Sequence, residues 1–158
     1  MSSTQRFVIF ADYFQFILMD ESSEDDFSTI WTGEALNRNL AVGCSAICPG
    51  TLRNAEVDVE IHLSEREPQI NLKNYDHAVE SSFEIPSGKL IVMSCTGYVP
   101  DAPCIEVTPG TYRALFLASG IETIKAEWEP ANDLYTVYLW PGEKCEPKLL
   151  KHWQRNNA

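Results

Sequence analysis

Positive charge is scarce in this 158-residue chain: twelve lysines and arginines stand against 23 aspartates and glutamates, a formal net charge of −11 at pH 7. Such a surface repels nucleic-acid phosphates and anionic membranes, which argues against both as partners, and it speeds encounter with a basic protein by electrostatic steering. The imbalance is uneven. Four of the twelve bases, Lys144, Lys148, Lys151 and Arg155, crowd into the last fifteen positions, and the residues up to Glu143 carry a balance of −14. Long apolar runs are also missing: no stretch approaches the roughly 18 uninterrupted apolar residues of a membrane helix. The first twenty residues are broken by Asp12 and Gln15 and show no small-residue cleavage site, so they do not read as a signal peptide and the expected location is the cytoplasm.

Signatures of chemistry are absent too. Neither GxGxxG nor GxxxxGK[ST] occurs, which removes the usual glycine-rich phosphate cradles. There are three histidines. His62 falls on the polar side of an alternating segment and His152 in the basic tail, where solvated rings are expected; His77, after Asp76 near a strand start, is the one to watch. Catalysis by a Ser-His-acid or Cys-His arrangement therefore has no visible constellation, and no enzyme is expected. Cys44, Cys48, Cys95, Cys104 and Cys145 are an odd set at irregular spacing, read as reduced thiols acting as small buried hydrophobes. Cys44 and Cys48 on one strand would stand roughly 13 Å apart, too far to share a zinc ion. The acidic run Glu24-Asp25-Asp26 lacks the oxygen spacing and glycine of an EF-hand loop. No cofactor or metal is expected.

What the sequence does contain is a β pattern. Ala55, Val57, Val59, Ile61 and Leu63 alternate with Glu56, Asp58, Glu60 and His62, a period of two that puts five apolar groups on one face and leaves the other wet. Further strands are expected over 6–20, 40–48, 77–85, 89–94, 104–107, 111–118 and 134–140. Pro49-Gly50, Pro86-Ser87-Gly88, Thr108-Pro109-Gly110 and Pro141-Gly142 mark turns, and the second and third of these read as hairpin reversals. Thr32 caps a short helix running to Asn37, with Glu34 in its first turn. Trp128 is expected against the core. The fold class is thus all-β, an antiparallel β-sandwich of about 7–8 strands with one short helix, formed by residues 1–143 as a single domain. Residues 144–158 form a basic C-terminal tail, either a short helix or without order.

The order of several short motifs resembles the competence protein J family: Tyr13-Phe14-Gln15-Phe16, then Trp31-Thr32-Gly33-Glu34-Ala35, then Ala41, Ile47 and Arg53-Asn54 ahead of the alternating strand. Pro109-Gly110-Thr111-Tyr112 and the late Leu134-Tyr135 strand continue the likeness, which spans about two thirds of the chain. The resemblance implies a protein that binds and silences a nuclease, or an immunity protein beside a toxin. The matched aromatics Tyr13, Phe16, Trp31 and Tyr112 are expected in the core rather than at an interface.

Two functions fit. In the first, the acidic surface occupies the cationic groove of a nuclease or toxin, with Glu56, Asp58, Glu60, Glu65 and Glu67 standing in for phosphates. In the second, the loops 21–28 and 95–103 bind a small ligand or calcium. The sequence leaves the oligomeric state open.

Overall fold

The structure is a computed structural model that describes residues 2–126 and 128–153. Among the described residues eleven strands make two sheets. The larger sheet runs in the order β1 (Ser3–Phe10), β5 (Glu56–Leu63), β10 (Leu134–Pro141), β9 (Gly110–Ser119), β6 (His77–Ile85), β11 (Lys148–Lys151). The smaller runs β3 (Leu40–Val42), β4 (Ala46–Pro49), β2 (Phe16–Asp20), β7 (Lys89–Ser94), β8 (Cys104–Glu106). All neighbours are antiparallel except β5 and β10, which pair in parallel. The all-β expectation with one short helix holds at this level. The expected strand number of 7–8 and the wholly antiparallel pairing are both corrected.

Three segments account for the extra strands. Residues 6–20, expected as one strand, divide at Ala11–Gln15, where Tyr13 (φ 57°) and Phe14 (φ 61°) turn the chain out of the larger sheet and into the smaller. Residues 40–48 fold back on themselves as β3 and β4, held by the Gly43 N–H donating to the Ala46 carbonyl at 2.8 Å. The basic tail, expected as a helix or as unordered chain, supplies β11 on the edge of the larger sheet. Arg155 lies outside the described residues.

The two turns read as hairpins reverse the chain without pairing the strands they join. Gly88, at φ 73°, donates its N–H to the Ile85 carbonyl at 3.2 Å, but β6 then belongs to one sheet and β7 to the other. The turn at Thr108-Pro109-Gly110 likewise carries the chain from β8 across to β9. Each reversal is an arch spanning the sandwich.

Between the sheets lies the main core, with Phe16, Leu18, Ile47, Leu90 and Val92 of one sheet against Val57, Val59, Ile61, Phe83, Phe116, Tyr135 and Val137 of the other. The outer face of the smaller sheet is covered as well. Helix α1 (Gly33–Arg38) and the segment before it bring Ala35, Phe27, Ile30 and Trp31 onto Ile17, Met19, Ala41, Cys48 and Ile91. Both faces of β2 are therefore dry, which is why its sequence is a continuous apolar run. Thr32 caps α1 as expected, its hydroxyl accepting from the Ala35 N–H at 3.1 Å. On the larger sheet, Ile70, Leu72 and Tyr75 cover Ala78, Leu115, Leu117 and Trp140. That cover stops short of β1 and β5.

His77 fastens the tail. Its ring is buried; Nε2 lies 2.6 Å from the Arg38 carbonyl and so carries the proton, leaving Nδ1 to accept from the Trp153 N–H at 3.2 Å. Burial lowers its pKa below the usual histidine value, the Arg38 carbonyl opposes this, and the neighbouring His152, its ring 5.8 Å away, adds to the lowering. A histidine whose folded pKa is depressed contributes stability above about pH 6.5, its unfolded value, and loses it as pH falls through the lower folded value. Protection of the Trp153 amide from hydrogen exchange is expected to fall as pH drops below the usual histidine value and His77 takes up a proton, and to become independent of pH in His77→Gln, which keeps both hydrogen bonds but does not titrate. A profile that is the same in both proteins would show that His77 does not hold the tail.

Candidate functional site

The bare half of the larger sheet is where the alternating strand points its acids. The β5 register sets the arrangement: Phe10, Val8, Arg6 and Thr4 of β1 stand opposite Glu56, Asp58, Glu60 and His62, all on the outer face. On the other side, Leu134, Thr136 and Tyr138 of β10 flank Asp58, Glu60 and His62. Val57, Val59 and Ile61 are buried beneath, so the period-two reading of this segment is what the structure has.

The acids are not equally free. Glu56 is exposed, and the Asp58 side chain is 47% exposed with Arg6 at 3.9 Å. Glu60 is only 20% exposed, held by Arg6 at 3.4 Å and His62 Nε2 at 3.1 Å. His62 is stacked on Tyr138 with ring centroids 4.3 Å apart, and its Nδ1 bonds the Thr4 hydroxyl at 2.8 Å, so it is engaged rather than solvated. Glu65 and Glu67 are exposed but follow the far end of β5, a strand of eight residues that spans about 23 Å. The five predicted residues thus form two groups, Glu56, Asp58 and Glu60 on the strand and Glu65 and Glu67 beyond it.

Beside the acids stand residues the sequence reading missed. Val8 is 65% exposed and Phe10 51% exposed, directly opposite Asp58 and Glu56. Tyr13 and Phe14 are exposed a few residues on, so Tyr13 is not the core residue expected, while Phe16 and Tyr112 are. Trp31 is partly buried, its indole N–H donating to Gln15 Oε1 at 2.8 Å. Trp128, also expected in the core, is 82% exposed. Four large apolar side chains in the open within seven residues are a signal of contact with another surface. The run Phe7-Val8-Ile9-Phe10 held that signal in the sequence, but an apolar run does not say which of its faces is covered.

The other candidate regions are occupied by their own chain. In the loop 21–28, Asp25 accepts from the Cys44 and Ser45 N–H groups at 2.9 and 2.8 Å and from the Ser45 and Ser23 hydroxyls. Burial raises its pKa, but these donors outweigh burial and the net shift is downward. Asp26 accepts from the Ser28 N–H and hydroxyl. These carboxylates pin turns. Among the described residues no group of three or more His, Cys, Asp or Glu side chains is placed to hold a metal ion. All five cysteines are free thiols. Cys48 is buried, and burial first of all pushes its thiol up to about 12, but Cys44 and Cys104 are exposed, against the expectation that every cysteine is a core residue. No helix is long and apolar enough to cross a membrane, among the described residues.

No family model and no curated protein matches the sequence. Two solved structures share its architecture. ComJ of Bacillus subtilis, described as an inhibitor of the DNA-degrading activity of NucA, superposes with a TM-score of 0.70 at 18% identity, covering 90% of this chain and 99% of ComJ. A protein described as crocagin biosynthetic gene J superposes with a TM-score of 0.62 at 20% identity, covering 90% of this chain and 99% of that one. The chain carries the fold of ComJ.

Proposed function

We propose that this protein is an inhibitor, of the immunity or regulatory kind, that works in the cytoplasm by binding a nuclease or a nuclease-like toxin rather than by catalysis. The observation that carries the reading is the likeness to ComJ over nine tenths of the chain, joined to an uncovered outer face where Glu56 and Asp58 flank Val8 and Phe10. The chemistry suits the target. A nuclease groove is cationic because it binds phosphates, and carboxylates on a preformed strand present negative charge there without the ordering that a flexible chain would need. Val8 and Phe10 supply an apolar centre with the carboxylates at its rim, the arrangement of protein interfaces, which have an apolar core and a polar border. The experiment is DNA degradation by NucA, and by the NucA-like nucleases of the cell that makes this protein, titrated with the purified chain. Cleavage should stop near one equivalent for the cognate enzyme. Undiminished cleavage at a large excess, for every such nuclease, would defeat the reading. Ligand or calcium binding by the loop 21–28 has less support, because the Asp25 and Asp26 oxygens already serve the chain's own turns.

A further inference from the structure

The four sheet edges are not alike. β3 and β8 are three residues each, and α1 packs against β3. β11 has four residues, two of them lysines, and its register with β6 shifts between Leu149 and Lys151. Short edges, lysines and irregular register are the devices by which β proteins prevent another strand from adding to them. β1 has none of these. It is eight residues long, in unbroken register with β5, and it carries exposed Val8 and Phe10.

The hydrogen-bond phase of this edge follows from one bond. Beyond the Phe10–Glu56 pair, the Ala11 N–H donates to the Ala55 carbonyl at 2.8 Å. Hydrogen-bonded pairs alternate along an antiparallel ladder, so Ser3, Gln5, Phe7 and Ile9 face β5 with their N–H and C=O groups, and Thr4, Arg6, Val8 and Phe10 direct theirs away. Among the described residues no backbone hydrogen bond reaches those outward groups. Alongside this edge runs a groove of about 290 Å³, lined by Val8, Phe10, Met93, Tyr98, Asp101 and Pro103.

We infer that β1 receives an added strand, and that its occupant is an extended segment of a partner protein in which apolar residues alternate with lysine or arginine. Main-chain bonds to Arg6, Val8 and Phe10 supply the pairing, and the groove takes apolar side chains from alternate positions. Charge selects the occupant. Glu56 and Asp58 on the outer face and Asp101 in the groove wall favour cations, while Arg6 is already held by Asp58 and Glu60. A second copy of this chain would bring the same acids together on bodies of charge −11, so self-pairing is disfavoured. The inference rests on the inhibitor reading only for which protein supplies the segment.

The test uses the full chain and two peptides as long as β1, one alternating valine with lysine and one alternating valine with glutamate. With the lysine peptide, exchange of the Arg6, Val8 and Phe10 amides should slow by about tenfold or more, while Gln5, Phe7 and Ile9, already paired, change little. The glutamate peptide should have no effect. Val8→Pro removes an outward N–H that the fold does not use, a position at which an edge strand tolerates proline, and should abolish the slowing. Phe10→Lys leaves the backbone intact and should weaken it. Three results would overturn the assignment: no slowing with either peptide, equal slowing with both, or dimerisation of the unaltered protein that Val8→Pro abolishes. Nuclease inhibition that survives Val8→Pro would overturn the edge as the inhibitory surface and leave the inhibitor reading standing. Failure of the unaltered protein to inhibit any nuclease would strike that reading and leave the peptide result intact.

Discussion

Replacing Arg53 by alanine is expected to destabilise the protein by about 3–5 kcal/mol, read as a large fall in the urea midpoint with the slope unchanged, because it strands a buried carboxylate. The pair is almost wholly removed from solvent, with 7% of the Arg53 side chain and none of Asp133 exposed. The guanidinium engages it bidentately, Nη2 at 2.7 Å from Oδ1 and Nε at 3.1 Å from Oδ2. The remaining donors reach the Glu129 carbonyl at 3.1 Å and the Glu56 carbonyl at 3.4 Å. Tyr135 completes the cluster, donating its hydroxyl proton to Asp133 at 2.8 Å and accepting from the Leu52 N–H at 3.1 Å. Burial first of all drives the Tyr135 pKa upward, so the phenol stays protonated and can donate. The cluster has a topological purpose. β5 and β10 pair in parallel, and parallel neighbours cannot be joined by a hairpin, so Arg53 fastens the chain at the start of one to the chain at the start of the other.

Controls separate this mechanism from a general loss of packing. Arg53→Lys keeps the charge but not the fork, and should recover part of the loss. The double variant Arg53→Met with Asp133→Leu removes both charges and should be markedly more stable than Arg53→Ala alone. If Arg53→Ala changed stability by less than about 1 kcal/mol, the pair would not be the clamp described here.

What was legible in the sequence was whatever a single strand decides for itself. β5 announced its wet face because its inner residues are aliphatic and its outer ones acidic, and the bounds of β6 and β7 were set by flanking polar and turn residues. Sheet membership was not legible. Proline and glycine after β6 and before β9 fix a reversal of the chain, but whether the next strand pairs or crosses the sandwich depends on partners far away in sequence. The break between β1 and β2 was hidden for another reason. Tyr13 and Phe14 occupy the left-handed region, which aromatic residues rarely adopt, and they are kept there by tertiary bonds: Asp12 accepts from the Cys95 N–H at 2.9 Å, and the Thr51 N–H donates to the Phe14 carbonyl at 2.8 Å. Of the candidate site, the strand acids could be read directly. Val8 and Phe10 could not, since only the register with β5 places them beside Asp58 and Glu56. Arg53 and Asp133 are separated by 80 residues, and nothing local links them.

Reversing the two open strand acids, Glu56→Lys with Asp58→Lys, is expected to slow association with the nuclease by about 10-fold or more at low salt, and to flatten the salt dependence that the unaltered protein shows. Stability should move by no more than about 1 kcal/mol, because Glu56 is exposed and the Asp58–Arg6 contact, at 3.9 Å between half-exposed groups, is of the kind that contributes little. The same reversal at Glu65 and Glu67 is the decisive comparison. These two acids change the net charge by the same amount, but they follow the far end of β5, separated from Glu56 by more than the Debye length of about 8 Å at physiological salt. If inhibition depends on local carboxylates meeting a cationic groove, the strand pair will matter and the distal pair will not. Equal slowing by both pairs would mean that only the overall negative charge steers the encounter, and the outer face of β1 and β5 would lose its claim to be the docking surface. No change from either pair, with inhibition intact, would place the contact elsewhere on the sandwich and leave the acids of β5 as a solvated face.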